Sequence, residues 1–136
     1  MLKFRLSQSS FSPSAIFDGE PAPRSWLLSG MLDDHYSEED ISMFLEEIAK
    51  AEAGEPNVVI GNHAVWVRMS ADKVIIENML YGDDRTNGTV PERTEISLAD
   101  TKRLVLEWRE AVKRWYAEHR EDQDAAPPAP VRPCLN

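Results

Sequence analysis

The sequence predicts a single α+β domain: about four mainly antiparallel strands and two helices in the order β-α-β-β-β-α. Three observations predict it. From Ser97 to His119, Leu104, Val105, Trp108, Val112, Trp115 and Tyr116 recur at steps of one, three and four, which aligns them on one stripe of a helix. Ile41, Phe44, Leu45 and Ile48 make a second such stripe between Ser37 and Gly54. Between them, Asn57 to Leu80 alternates apolar and polar residues, is rich in β-branched side chains and is interrupted by tight-turn residues, so its strands pair antiparallel.

Taken in order, Leu2, Phe4 and Leu6 alternate with Lys3 and Arg5 as a short half-buried strand. Residues 7–36 then read as an irregular Pro- and Ser-rich loop, with Pro13, Pro21 and Pro23 blocking regular structure. Phe11, Ile16, Phe17, Trp26, Leu27 and Leu28 make this loop too apolar for a linker, so it lies against the core; Trp26 alternatively serves as an exposed anchor. Ser37 opens the first helix, with Glu38, Glu39 and Asp40 where the helix dipole favours negative charge. Gly54 is placed to end it in a left-handed conformation, and Pro56 forbids continuation. Gly61-Asn62 and Ala71-Asp72 are the turns of a β-meander in which Val65, Val67 and Met69 share one face and Ala64, Trp66 and Arg68 the other. Residues 81–91 form a long loop, Thr94 to Ser97 a short fourth strand or an extended lead-in, and Ser97 caps the last helix. The domain spans 1–120, and 121–136 is a disordered, Pro-rich acidic tail.

A chain of 136 residues fits one modest core. Its net charge of −9 repels nucleic-acid phosphates and anionic membranes, which disfavours both as ligands and allows a basic protein partner. One cysteine, Cys134, excludes an intramolecular disulfide. No stretch approaches the roughly 18 apolar residues of a membrane span. The N-terminus has no unbroken apolar run either, so the expectation is a cytoplasmic protein.

The residues offer no signature of catalysis, metal or cofactor. His35, His63 and His119 lie far apart and form no paired-ligand spacing; His35, after Asp33-Asp34, reads as part of a solvated loop. Glycines are isolated, and no serine sits in a nucleophile elbow. The expected protein is not an enzyme and carries no cofactor.

Charge distribution is more informative. Between Asp33 and Glu55, nine acids (Asp33, Asp34, Glu38, Glu39, Asp40, Glu46, Glu47, Glu52 and Glu55) stand against Lys50 alone, a local charge of −8. From Leu98 to Arg120, six basic residues stand against four acids, or +2. So concentrated a field steers a basic partner. The candidate partner-binding residues are Asp33, Asp34, Tyr36, Glu38, Glu39, Asp40, Glu46 and Glu47, with Tyr36 as the apolar anchor that an interface needs. The same acids also suit a solvated helix face, or the pairing of this helix with the basic helix of a second copy in a homodimer.

The succession FLEEIAKAEAGE, GNHAVWVRMSADKVIIENM and EISLADTKRLVLEWREAV resembles small bacterial immunity proteins encoded beside polymorphic or contact-dependent toxins. The pattern is a helix ending in Gly, a strand pair around Gly-Asn and a last helix with Leu-x-x-Trp, over residues 37–118. The resemblance implies an inhibitor that acts by binding a toxin. The acidic segment suits a toxin with a basic cleft, such as a nuclease. The alternative is a small structural or adaptor subunit.

Overall fold

The computed structural model describes residues 1–7, 11–61, 64–78 and 92–119. Asn62 of the first turn, His63, the 81–91 loop and the 121–136 tail with Cys134 lie outside the described residues.

Both long helices start as their serines dictate. Ser37 Oγ accepts a hydrogen bond of 3.1 Å from the Asp40 amide. Ser97 Oγ accepts one of 3.0 Å from the Asp100 amide. Each satisfies a donor that the first helical turn would leave orphaned. Glu38–Glu52 and Leu98–Glu118 are helical. The first of these ends at Gly54, whose φ of +93° is costly for any residue with a Cβ.

Four antiparallel strands follow one another in a meander: Val58–Gly61, Val65–Met69, Val74–Asn78 and Arg93–Ile96. Ser70 N donates to Lys73 O at 2.9 Å across the second turn. Alternation places Val58, Val65, Val67, Met69, Val74, Ile76, Asn78 and Ile96 on the buried face. The polar one among them, Asn78, donates from its side chain to the Glu92 carboxylate at 3.2 Å.

The irregular loop expected over 7–36 is more ordered than its prolines suggest. Arg5–Leu6 pairs antiparallel with Ala15–Ile16, and Arg24–Asp33 is a third helix. The strands are therefore β1 (Arg5–Leu6), β2 (Ala15–Ile16), β3 (Val58–Gly61), β4 (Val65–Met69), β5 (Val74–Asn78) and β6 (Arg93–Ile96). The helices are α1 (Arg24–Asp33), α2 (Glu38–Glu52) and α3 (Leu98–Glu118). Helix α1 begins just after Pro23, which stands at the N-cap: its carbonyl accepts a 3.0 Å hydrogen bond from Leu27 N, and its missing N–H costs nothing there. It buries Leu27, Leu28, Met31 and Leu32. The segment does lie on the core, as its apolar content predicts, although Phe11 is fully exposed and Trp26 half-exposed.

Helix α1 packs against β4, β5 and β6, whereas α2 packs against β3 and α3. One contiguous core runs from Leu2 through Phe17, the three helices and the inner sheet face. Trp108 lies within it, fully buried, with Phe4 edge-on to its ring at 5.9 Å. The mixed, single-domain α+β architecture is as predicted; among the described residues it has three helices instead of two, and the predicted first strand pairs with Ala15–Ile16 in a ribbon of its own.

Candidate protein-binding surface

Tyr36 sits in the turn between α1 and α2, and that turn is fixed from both sides. His35, immediately before it, is buried and not solvated. Its Nδ1 lies 2.9 Å from Met31 O, and since a carbonyl only accepts, Nδ1 carries the proton. The ring tilts against Phe44 at 4.8 Å, and the His35 carbonyl accepts a 2.8 Å hydrogen bond from Trp108 Nε1. Ser37, on the other side, caps α2. Tyr36 is thus held with 47 % of its surface exposed. Burial pushes the neighbouring Tyr116 hydroxyl above its ordinary pKa, and the proximity of Tyr36 adds to the rise.

Along α2, Glu38, Glu39 and Glu46 are exposed, whereas Asp40 and Glu47 are partly buried. Glu39, Met43, Glu46 and Lys50 follow at helical spacing on the outward face, and Met43 is 50 % exposed. Lys50 pairs with Glu47 at 2.8 Å. That hydrogen bond, reinforced by the fields of Glu47, Glu55 and Glu46, holds the ammonium above its ordinary pKa. Glu52 pairs with Lys102 of α3 at 3.1 Å. Glu39, Met43 and Glu46 thus share one outward face of α2, and Tyr36 precedes the helix. Met43 is a residue that sequence reasoning missed; its place off the Ile41-Phe44-Ile48 stripe was the available signal.

Asp33 does not belong to this surface. Its carboxylate accepts hydrogen bonds from Ala15 N at 2.8 Å and Ser14 Oγ at 2.9 Å, tying the end of α1 to β2. Burial pushes its carboxyl above the ordinary aspartate range, against the lowering effect of those two donors. Asp33 is a clamp, and its charge is spent internally. Asp34, partly buried, stands close enough to raise the Asp33 pKa further.

The outer face of the sheet is a second exposed surface. Register aligns Val59, Arg68, Ile75 and Glu95 in one row and Gly61, Trp66, Glu77 and Arg93 in the next. Arg68 pairs with Glu77 at 2.6 Å, so this face is close to neutral. Val59 is 38 % exposed and Trp66 40 %. The indole of Trp66 lies over Gly61: a Cβ there would stand 2.6 Å from Trp66 Cζ3. We expect Gly61→Ala to displace the ring while lowering stability by only about 1 kcal/mol, because the indole can rotate toward solvent. A shifted Trp66 indole N–H signal in NMR would report it; an unmoved signal would refute the contact.

A groove of about 490 Å³ separates β1 from α3, over Phe4, Leu6, Leu106 and Ala111. Its carboxylates are engaged, Glu107 with Arg103 at 3.0 Å and Glu110 with Lys113 at 3.6 Å. Among the described residues, no three His, Cys, Asp or Glu side chains come together as a metal site. No helix among them is long and apolar enough to cross a membrane. Comparison with protein-family models, curated proteins and solved structures gives no match to the chain.

Proposed function

We propose that the protein is a non-enzymatic binding module, an immunity-type inhibitor in the cytoplasm that neutralises a basic toxin, such as a nuclease, through α2 and Tyr36. The observation that carries this reading is the outward face of α2. Exposed carboxylates at Glu39 and Glu46 flank a half-exposed Met43 at helical spacing, and exposed Glu38 opens the helix just after a Tyr36 whose backbone is locked in place. Charge at the rim steers encounter, and an ordered aromatic and a flexible thioether supply contacts that exclude water. Because Tyr36 is already held, little ordering entropy is lost when it is covered.

The test is binding to the C-terminal domain of a large secreted protein encoded beside this chain. A variant carrying Glu38→Lys, Glu39→Lys and Glu46→Lys, all exposed and remote from the core, should weaken binding about a hundredfold and flatten its salt dependence. Affinity and salt dependence that stay unchanged would remove α2 from the interface.

A further inference from the structure

Among the described residues, strand β3 is an edge whose far side is open. Its ladder partner is β4 alone, and among the described residues no further backbone hydrogen bond reaches Val58–Gly61. Edge strands are ordinarily blunted by charge, proline or a covering element. The opposite edge is blunted in this way: β6 carries Arg93 and Glu95, α1 lies against it, and Arg24 Nη1 donates to the Glu95 carbonyl at 3.2 Å. β3 reads Val-Val-Ile-Gly, with no charge and no proline.

Two features fit this edge to one kind of occupant. On the outer face, Val59 and the Trp66 indole lying over Gly61 make an apolar shelf that reaches onto the edge strand. On the inner face, β3 rests on α2, the helix with most of the excess negative charge, and exposed Glu55 precedes the strand. A second copy docked here would bring two acidic helices to one seam; a basic segment would be attracted to it.

We propose that β3 accepts an extended segment of a protein partner as a fifth strand, with apolar side chains on Val59 and Trp66 alternating with Lys or Arg directed toward α2. Backbone hydrogen bonds supply the attachment and alternation supplies the selectivity. The proposal rests on the acidic-surface reading and adds to it the mode of attachment.

The test uses the full chain, labelled for amide hydrogen exchange, with a synthetic heptapeptide alternating Val and Lys and its counterpart alternating Val and Glu. The Val/Lys peptide should slow exchange of outward-facing amides within residues 58–61 at least about tenfold. The Val/Glu peptide should leave them unchanged. Trp66→Ala and Val59→Lys, both at exposed positions, should each weaken the Val/Lys peptide about tenfold. Three outcomes would overturn the proposal: no protection of β3, equal protection by both peptides, or protection that appears without peptide as protein concentration rises, the mark of a second copy. Val/Lys binding mapped to α2 without β3 would overturn strand addition while leaving the acidic-surface reading intact; loss of both would remove the two together.

Discussion

Trp108→Ala is expected to lower the unfolding free energy by about 3–5 kcal/mol, the range for deleting a buried large aromatic side chain. Trp108 is fully buried, is packed edge-on by Phe4, and donates Nε1 to the His35 carbonyl at 2.8 Å. The alanine variant leaves a cavity and an unpaired carbonyl together. Trp108→Phe separates the two, since it keeps much of the ring and loses the donor; its cost should be about 1–3 kcal/mol. Urea denaturation of both variants measures the difference. A phenylalanine variant as stable as the parent would mean that the hydrogen bond contributes nothing. On the binding role proposed for Tyr36, the same variant should also weaken partner binding even where folding is complete, because the His35 carbonyl helps to fix the turn that carries Tyr36.

Asp33→Ala should cost about 1–3 kcal/mol, because it strands the Ala15 amide, which is buried with the rest of its residue. Asp33→Asn is the more informative change. Asparagine can accept from Ala15 N and donate to Ser14 Oγ, and it carries no charge to bury. The wild-type carboxyl has a pKa raised by burial, so the folded state binds its proton more tightly than the unfolded state does. That contribution to stability is full below the ordinary carboxylate pKa and is lost as pH rises through the raised folded value. The stability of Asp33→Asn relative to wild type should therefore improve as pH rises across that window and then level off. Urea midpoints at closely spaced pH values check this. A difference that stays flat, or that favours aspartate with rising pH, would refute the assignment.

The elements with strong periodicity were legible because the same residues that set the pattern form the core. Ile41, Phe44 and Ile48 in α2, and Leu104, Trp108 and Val112 in α3, are all buried. Alternation likewise grouped Val65, Val67 and Met69 on one face of β4, and that face is the buried one. Helix α1 was obscured by its surroundings. Leu27, Leu28, Met31 and Leu32 do have helical spacing, but Pro21, Pro23 and an absent polar N-cap hid the start. Asp33 and His35 illustrate a different limit. Both belong to a run of polar residues, and what buries them is β2 on one side and Trp108 on the other, contacts far apart in sequence. The acidic character of α2 could be counted from composition. The exposure of Met43 and the passage of Trp66 over Gly61 depend on three-dimensional neighbours.

The unequal edges of the sheet also bear on stoichiometry. Open-ended filaments grow when one surface of a molecule fits a different surface on the next, so both must be available at once. With the β6 edge held by Arg24 and β3 the open edge of the four-stranded sheet among the described residues, pairing of that sheet between identical copies runs edge β3 to edge β3 and closes at two. Pairing with an unlike chain closes at one to one. An open edge of this kind leads to a closed pair, not to a growing chain of copies.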